Sequence, residues 1–173
     1  MNTEQPGPEG PWPKPVVLDD LEPRHTAVVR RDSITMAGVH ELFDHAFGPV
    51  AEAVGGSGAH IAGPAFAAYD GDLSGSFAIE LGFPVDGSFT EPVDAGGEHI
   101  IPSTLPGGRV AVVTHIGPYD ELPNAWSDLV DAVATSGGTI GSPMWEVYVT
   151  EPTPDTDPAT LRTDLFIVVE QTG

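Results

Sequence analysis

The sequence predicts an α+β fold: a duplicated βαββ repeat with pseudo-twofold symmetry, antiparallel sheets backed by two helices, and a central ligand groove. Three observations carry this expectation. Two stretches place apolar residues at the three- and four-residue spacing of a helix with one buried stripe. Each stretch lies among short runs rich in β-branched and aromatic residues, bounded by turn formers. Pro64, Phe66 and Tyr69 recur as Pro143, Trp145 and Tyr148 at a constant separation of 79 residues (143 minus 64, 145 minus 66, 148 minus 69). A chain of 173 residues has room for two half-domains sharing one core, and not for two ordinary domains.

Residues Met1–Pro15 contain Pro6, Pro8, Pro11, Pro13 and Pro15 and lack the basic-then-apolar plan of a signal peptide. They are expected to form a disordered leader, 1–15, ahead of a single domain over 16–173. Val16–Leu21 and His25–Arg31 read as strands, the second ending at the Asp32-Ser33 turn signal. From Met36 the apolar positions Val39, Phe43, Ala46, Phe47, Val50, Ala53 and Val54 trace a helix. Ser33 or Thr35 suits its start, Gly55-Gly56 its end, and Pro49 predicts a kink because proline cannot donate a backbone hydrogen bond. Strands Pro64–Tyr69 and Phe77–Val85 follow, with Asp70-Gly71-Asp72 and Ser74-Gly75 between them. This makes repeat one about 24–85, and repeat two, about 109–170, reads the same way. Its strand Arg109–His115 leads to a helix at about Tyr119–Thr135 with its stripe on Leu122, Ala125, Trp126, Leu129 and Val133, then to strands Met144–Thr150 and Arg162–Val169.

Charge narrows the partners. Twenty-six acids against six bases give a formal net charge of -20. Such a surface repels phosphate backbones and anionic lipid, so neither nucleic acid nor membrane is expected as a partner, and lipophilic aromatic or cationic small molecules are. Acidity also serves solubility, which explains the charge equally well. No apolar run approaches the roughly 20 residues that span a bilayer, and a cytoplasmic monomer is the expectation. The absence of cysteine removes disulfides, thiolate nucleophiles and cysteine zinc sites.

His40 and His45 suggest a zinc-protease helix, but they are five apart and therefore about 140° around the helix, where that chemistry needs a spacing of four. Gly56-Ser57-Gly58 and Gly71-Asp72-Leu73-Ser74-Gly75 do not sit between a strand and a helix, as a nucleophile elbow requires. No phosphate loop or dinucleotide fingerprint occurs, and neither metal nor cofactor is expected.

One constellation survives. In an alternating strand Trp145 and Val147 share one face, and Glu146 and Tyr148 share the other. If the Trp145 face packs on the helices, Glu146 and Tyr148 face the groove. A carboxylate there is costly to bury without a partner. That partner is a salt-bridging arginine, or a ligand cation, or the acid acts in proton transfer. By the repeat alignment Tyr69 answers Tyr148, and Glu80 and Phe166 lie on the last strand of each half, so two tyrosines, a phenylalanine and two acids are expected to converge. Aromatic faces with a carboxylate suit a flat organic cation: ring contacts contribute about 0.5–2 kcal/mol, and an ion pair about 4 kcal/mol before desolvation at an effective dielectric of 20. His115, in the turn His115–Tyr119, is a candidate ligand contact or a turn histidine bonded to backbone. Trp126 is a core residue or a pocket wall.

Eight segments in order resemble the GyrI-like, or AraC effector-binding, family. They are Arg24–Arg31, Leu42-Phe43-Asp44 with Phe47, Gly63–Tyr69, Gly82–Val85, Leu105–Arg109, His115–Tyr119, Trp145–Tyr148 and Arg162–Leu165. The resemblance spans about Val16–Val169. It implies two βαββ repeats around a ligand groove, and a buried glutamate in a Trp-Glu-x-Tyr strand, here Glu146, that meets cationic or amphipathic aromatic ligands. Family members include effector domains of helix-turn-helix regulators, gyrase-inhibitory proteins and free-standing domains. Some of the last are similar to hydrolases that open the electrophilic cyclopropane ring of DNA-alkylating natural products. No DNA-binding region is seen before residue 16, so a free-standing multidrug-type binding protein is the expectation. The alternatives are such a hydrolase, with Glu146 as general base or acid and Tyr148 orienting the substrate, and a gyrase-interacting protein.

Overall fold

The computed structural model describes residues 11–71, 75–150 and 154–170, apart from the side chains of Met36, His40 and Asp44. The leader expectation for residues 1–10, the turn at 72–74 and the orientation of His40 lie outside them. The elements in chain order are β1 (Val16–Leu21), β2 (Arg24–Ile34), α1 (Met36–Gly56), β3 (Phe66–Gly71), β4 (Phe77–Pro84), β5 (Val93–Ala95), β6 (Glu98–Leu105), β7 (Gly108–Ile116), α2 (Leu122–Thr135), β8 (Thr139–Tyr148) and β9 (Arg162–Glu170). The fold is α+β with antiparallel strand pairing, and the chain divides into two compact units, Pro23–Pro106 and the remainder.

In the Pro23–Pro106 unit the strands pair in the order β3-β4-β2-β6-β5. α1 buries Val39, Leu42, Ala46, Val50, Ala53 and Val54, the stripe its spacing predicts. The helix is continuous through Pro49, and Thr35 occupies the N-cap position without a side-chain capping bond. Phe47 meets Phe43 and Phe83 edge-on, with ring centroids 5.6 and 5.8 Å apart. The hairpin β5-β6 is absent from the sequence reading, because β5 has three residues and β6 contains Pro102, a residue that argues against a strand. Its signal was Gly96-Gly97: both have positive φ (59° and 82°) in the two-residue loop closing Ala95 onto Glu98, a turn that favours glycine at both positions.

In the other unit the order is β1-β7-β9-β8. The expected second helix is a single 3-10 turn, Tyr119–Glu121, running into α2. α2 packs Leu122, Leu129 and Val133, with Ala125 and Trp126 beside them, against Ala111, Val113, Leu165, Ile167 and Val169. The register makes continuous rows on that face: Val113, Leu165 and Glu146 in one, and His115, Thr163 and Tyr148 in the next. Glu146 and Tyr148 therefore lie on the helix-covered face. This reverses the assumption that Trp145 packs on the helices: Trp145 stacks on Phe166 on the far face, at 5.2 Å and an interplanar angle of 3°. The leader expectation fails at Trp12, which is 1% exposed and edge-on to Phe166.

Gly82 sits between Val28 and Phe66 in the first-described sheet, where an added Cβ would lie 1.9 Å from the Ala27 carbonyl oxygen and 2.9 Å from Val28 Cα. Backbone atoms of a central strand cannot yield as a flexible side chain can. Gly82→Ala is expected to destabilise the protein by about 3 kcal/mol or more, read as a fall in the urea midpoint. A change within about 0.5 kcal/mol would contradict the β2-β4 register.

Candidate functional site

Glu146 is 8% exposed in β8. Its position in the Val113–Leu165 row turns the carboxylate toward α2. Trp126 sits four residues after Leu122 on that helix, so the stripe that buries Leu122 also points the indole at β8. Trp126 Nε1 donates to Glu146 Oε2 at 2.7 Å, and the Tyr148 hydroxyl donates to Oε1 at 2.7 Å. Both distances lie within the range of well-formed hydrogen bonds. Both donors are neutral groups, so they solvate the carboxylate without cancelling its charge.

A second tyrosine, 37% exposed, stands beside the first. The ring of Tyr119, in the 3-10 turn, meets Tyr148 edge-on at 5.9 Å and 68°. Burial raises the Tyr119 phenol pKa above its ordinary value, and the negative charge of Glu146 raises it further. Folding thus favours the neutral phenol: this group's contribution to stability is complete below about pH 10, and is lost as pH rises through the folded pKa. A depression of about 260 Å³ lies along the flank of α2, lined by Pro123, Trp126, Ser127, Val130, Asp131 and Met144. It shares Trp126 with the carboxylate site and places the Asp131 acid at its rim.

The other expected site residues are arranged differently. Glu80 pairs with Arg30 at 2.7 Å and accepts the Ser103 hydroxyl at 2.8 Å, within the Pro23–Pro106 unit. The salt-bridge alternative weighed for Glu146 is realised at Glu80, because Arg30 is its direct cross-strand neighbour. Tyr69 is in the same unit, 5% exposed, with its ring edge-on to Phe77. Phe166 lies in register with Trp145, on the face of its sheet opposite Glu146. His115 donates from Nε2 to the Pro118 carbonyl at 3.2 Å, with Glu121 at 3.8 Å, and so has the turn role that was one of its two readings.

Trp126 as a carboxylate donor and Tyr119 as a wall were not identified from sequence. The signal for Trp126 was present, since an indole nitrogen on a buried stripe requires an acceptor and Glu146 required a donor. Nothing in the sequence marked Tyr119 or the lining of the depression. Among the described residues no cluster of three or more potential metal ligands occurs, and no helix is long and apolar enough to cross a membrane.

Two outcomes follow from this geometry. Tyr148→Phe removes one donor and keeps the ring, Trp126→Phe removes the other and leaves a smaller ring, and each is expected to cost at least about 1–3 kcal/mol in denaturant unfolding, the cost of a buried acceptor losing its donor. Glu146→Gln is expected to lower the Tyr119 pKa, followed by the ring resonances against pH, while leaving it above the ordinary value because burial remains. An unchanged Tyr119 titration would mean that Glu146 carries no charge near that ring.

A sequence model described as the GyrI-like small molecule binding domain matches residues 59–170, more than half of the chain. No curated protein matches the sequence. Among solved structures, the C-terminal domain of EcmrR is similar with a TM-score of 0.74 and 20% identity, over 92% of this chain and 98% of that one. SAV2435, solved bound to tetraphenylphosphonium, is similar at a TM-score of 0.61 and 12% identity, over 91% and 94% of the two chains. A hydrolase from Listeria innocua has a TM-score of 0.62 and 14% identity, over 93% and 94%. At these identities the structural likenesses speak for the fold, and the sequence match supplies the family: the chain belongs to the GyrI-like small molecule binding domain family.

Proposed function

We propose that the protein is a multidrug-type binder of lipophilic aromatic cations, with Glu146 as the counter-ion and Tyr148, Trp126 and Tyr119 as the surrounding aromatic groups. The observation that carries the reading is the Glu146 carboxylate, buried yet held by two neutral donors, Trp126 and Tyr148. A carboxylate so placed attracts a cation that sheds water easily, because a diffuse organic charge is cheaper to desolvate than a compact ammonium. The aromatic rings add contacts to the cation that every flat or phenyl-bearing ligand can make. Selectivity then follows charge and apolar surface more than hydrogen-bond pattern. The net charge of -20 favours the encounter with cations over anions of the same shape. Similarity to SAV2435, which was solved with a lipophilic cation, agrees with this ligand class.

A second reading uses the same residues for hydrolysis and is favoured by the Tyr148 hydroxyl on Glu146, an acid-base pair in contact. Glu146 would take a proton from water, the oxygen would attack a cyclopropane carbon, and the proton would pass to the carbonyl-conjugated fragment as the ring bond breaks. The net change is addition of one water.

The test is a titration of ethidium, a fluorescent planar cation, into wild type and Glu146→Gln, followed by incubation of both with a cyclopropane-bearing alkylator and mass spectrometry. The binding reading expects affinity to fall roughly ten-fold or more in the variant, the loss of one charge-assisted contact, with no product from either protein. Equal affinity in both proteins would overturn Glu146 as counter-ion. A product heavier by one water, formed only by wild type, would establish the hydrolase.

A further inference from the structure

The opposite face of the β7-β9-β8 sheet carries a second aromatic arrangement that the Glu146 site does not use. Trp12 lies outside any strand, yet it is 1% exposed. Its backbone is clipped to β7: the Trp12 N–H donates to Thr114 Oγ1 at 2.8 Å, and the Thr114 N–H donates to the Trp12 carbonyl at 2.7 Å. The Thr114 hydroxyl donates to Asp164, which Arg162 neutralises at 2.9 Å, so the clip rests on a fixed polar group. Pro11 and Pro13 flank Trp12 and have no N–H to add to it. The Trp12 ring meets Phe166 edge-on at 5.7 Å and 79°, and Phe166 stacks flat on Trp145. Two of the three rings thus belong to strands β8 and β9, and the third is delivered by a segment held through a local contact.

The third ring fits the slot in shape but not in chemistry. Trp12 Nε1 is buried without a hydrogen-bond partner among the described residues, whereas a buried indole nitrogen ordinarily finds an acceptor. An unpaired donor subtracts from the binding that the apolar ring surface provides. A planar bicycle lacking that donor would make the same ring contacts without the penalty. We propose that the slot beside Phe166 is a second binding site, for uncharged planar bicyclic aromatic compounds without a donor, which Trp12 fills in cis and which such a compound takes by displacing the Trp12 ring. The site is separate from Glu146 and takes no cation. Its ligand class follows from the indole that fills the slot edge-on to Phe166: planar and bicyclic, as indole is, and without a donor, because no acceptor among the described residues meets Nε1.

Two measurements on the full chain test it. In Trp12→Gly, naphthalene is expected to bind about ten-fold more tightly than indole, the ratio that follows from leaving one donor unpaired. In wild type labelled with 5-fluorotryptophan, added naphthalene is expected to move the Trp12 fluorine resonance, assigned by its loss in Trp12→Phe, to the position of an exposed indole while Trp126 stays in place. Indole binding as tightly as naphthalene would overturn the proposal. So would a Trp12 resonance that stays fixed at saturating naphthalene, and this second measurement does not depend on the folding of Trp12→Gly.

Discussion

A carboxylate withdrawn from water has to be solvated by the protein, and in the β7-β9-β8 unit that requirement ties a helix to a sheet. Glu146 takes one hydrogen bond from Trp126 on α2 and one from Tyr148 on its own strand. The first acts with the Leu129 and Val133 packing to fix the rotation of α2, because a helix turned by one residue, about 100°, would carry the indole nitrogen away from its acceptor. The second holds the Tyr148 ring where it meets Tyr119. Helix register, strand face and aromatic enclosure all meet at one ionisable group.

The same sheet separates two environments. Its helix face places Val113, Leu165 and Glu146 in a row, apolar up to the carboxylate. Its other face carries Trp145, Phe166 and Trp12, with Asp164 satisfied by Arg162 and Thr114. Each face thus buries an acid. Asp164 has a cation beside it, and removing either partner would leave a charge uncompensated, so its role is to hold structure. Glu146 accepts hydrogen bonds from the Trp126 indole and the Tyr148 hydroxyl.

Much of this was legible in the sequence, and the errors have physical causes. The helical stripes, the β-α-β-β order within each unit and the pairing of Glu146 with Tyr148 on one face follow from periods of 3.6 and 2. Period alone cannot say which face of a strand the helix covers: Trp145 and Val147 look more like core than Glu146 and Tyr148, and the inference took the apolar pair to the helix. Trp145 is indeed buried, but against Phe166, whose ring also meets Trp12 from a proline-rich segment whose composition reads as leader. Repeat alignment, which grouped Glu80 and Phe166 with the site, carries no information about cross-strand neighbours. Arg30 beside Glu80 and Trp145 beside Phe166 are properties of register. The hairpin around Gly96-Gly97 was missed because three-residue β5 is too short to show alternation.

Whether the buried carboxylate of Glu146 meets the charge of the ligand is decided by a crystal structure of the complex with tetraphenylphosphonium. The phosphonium is expected against the Glu146 carboxylate with Tyr119, Tyr148 and Trp126 around its phenyl groups. A cation bound elsewhere on the acidic surface, with Glu146 still closed by both of its donors, would contradict it.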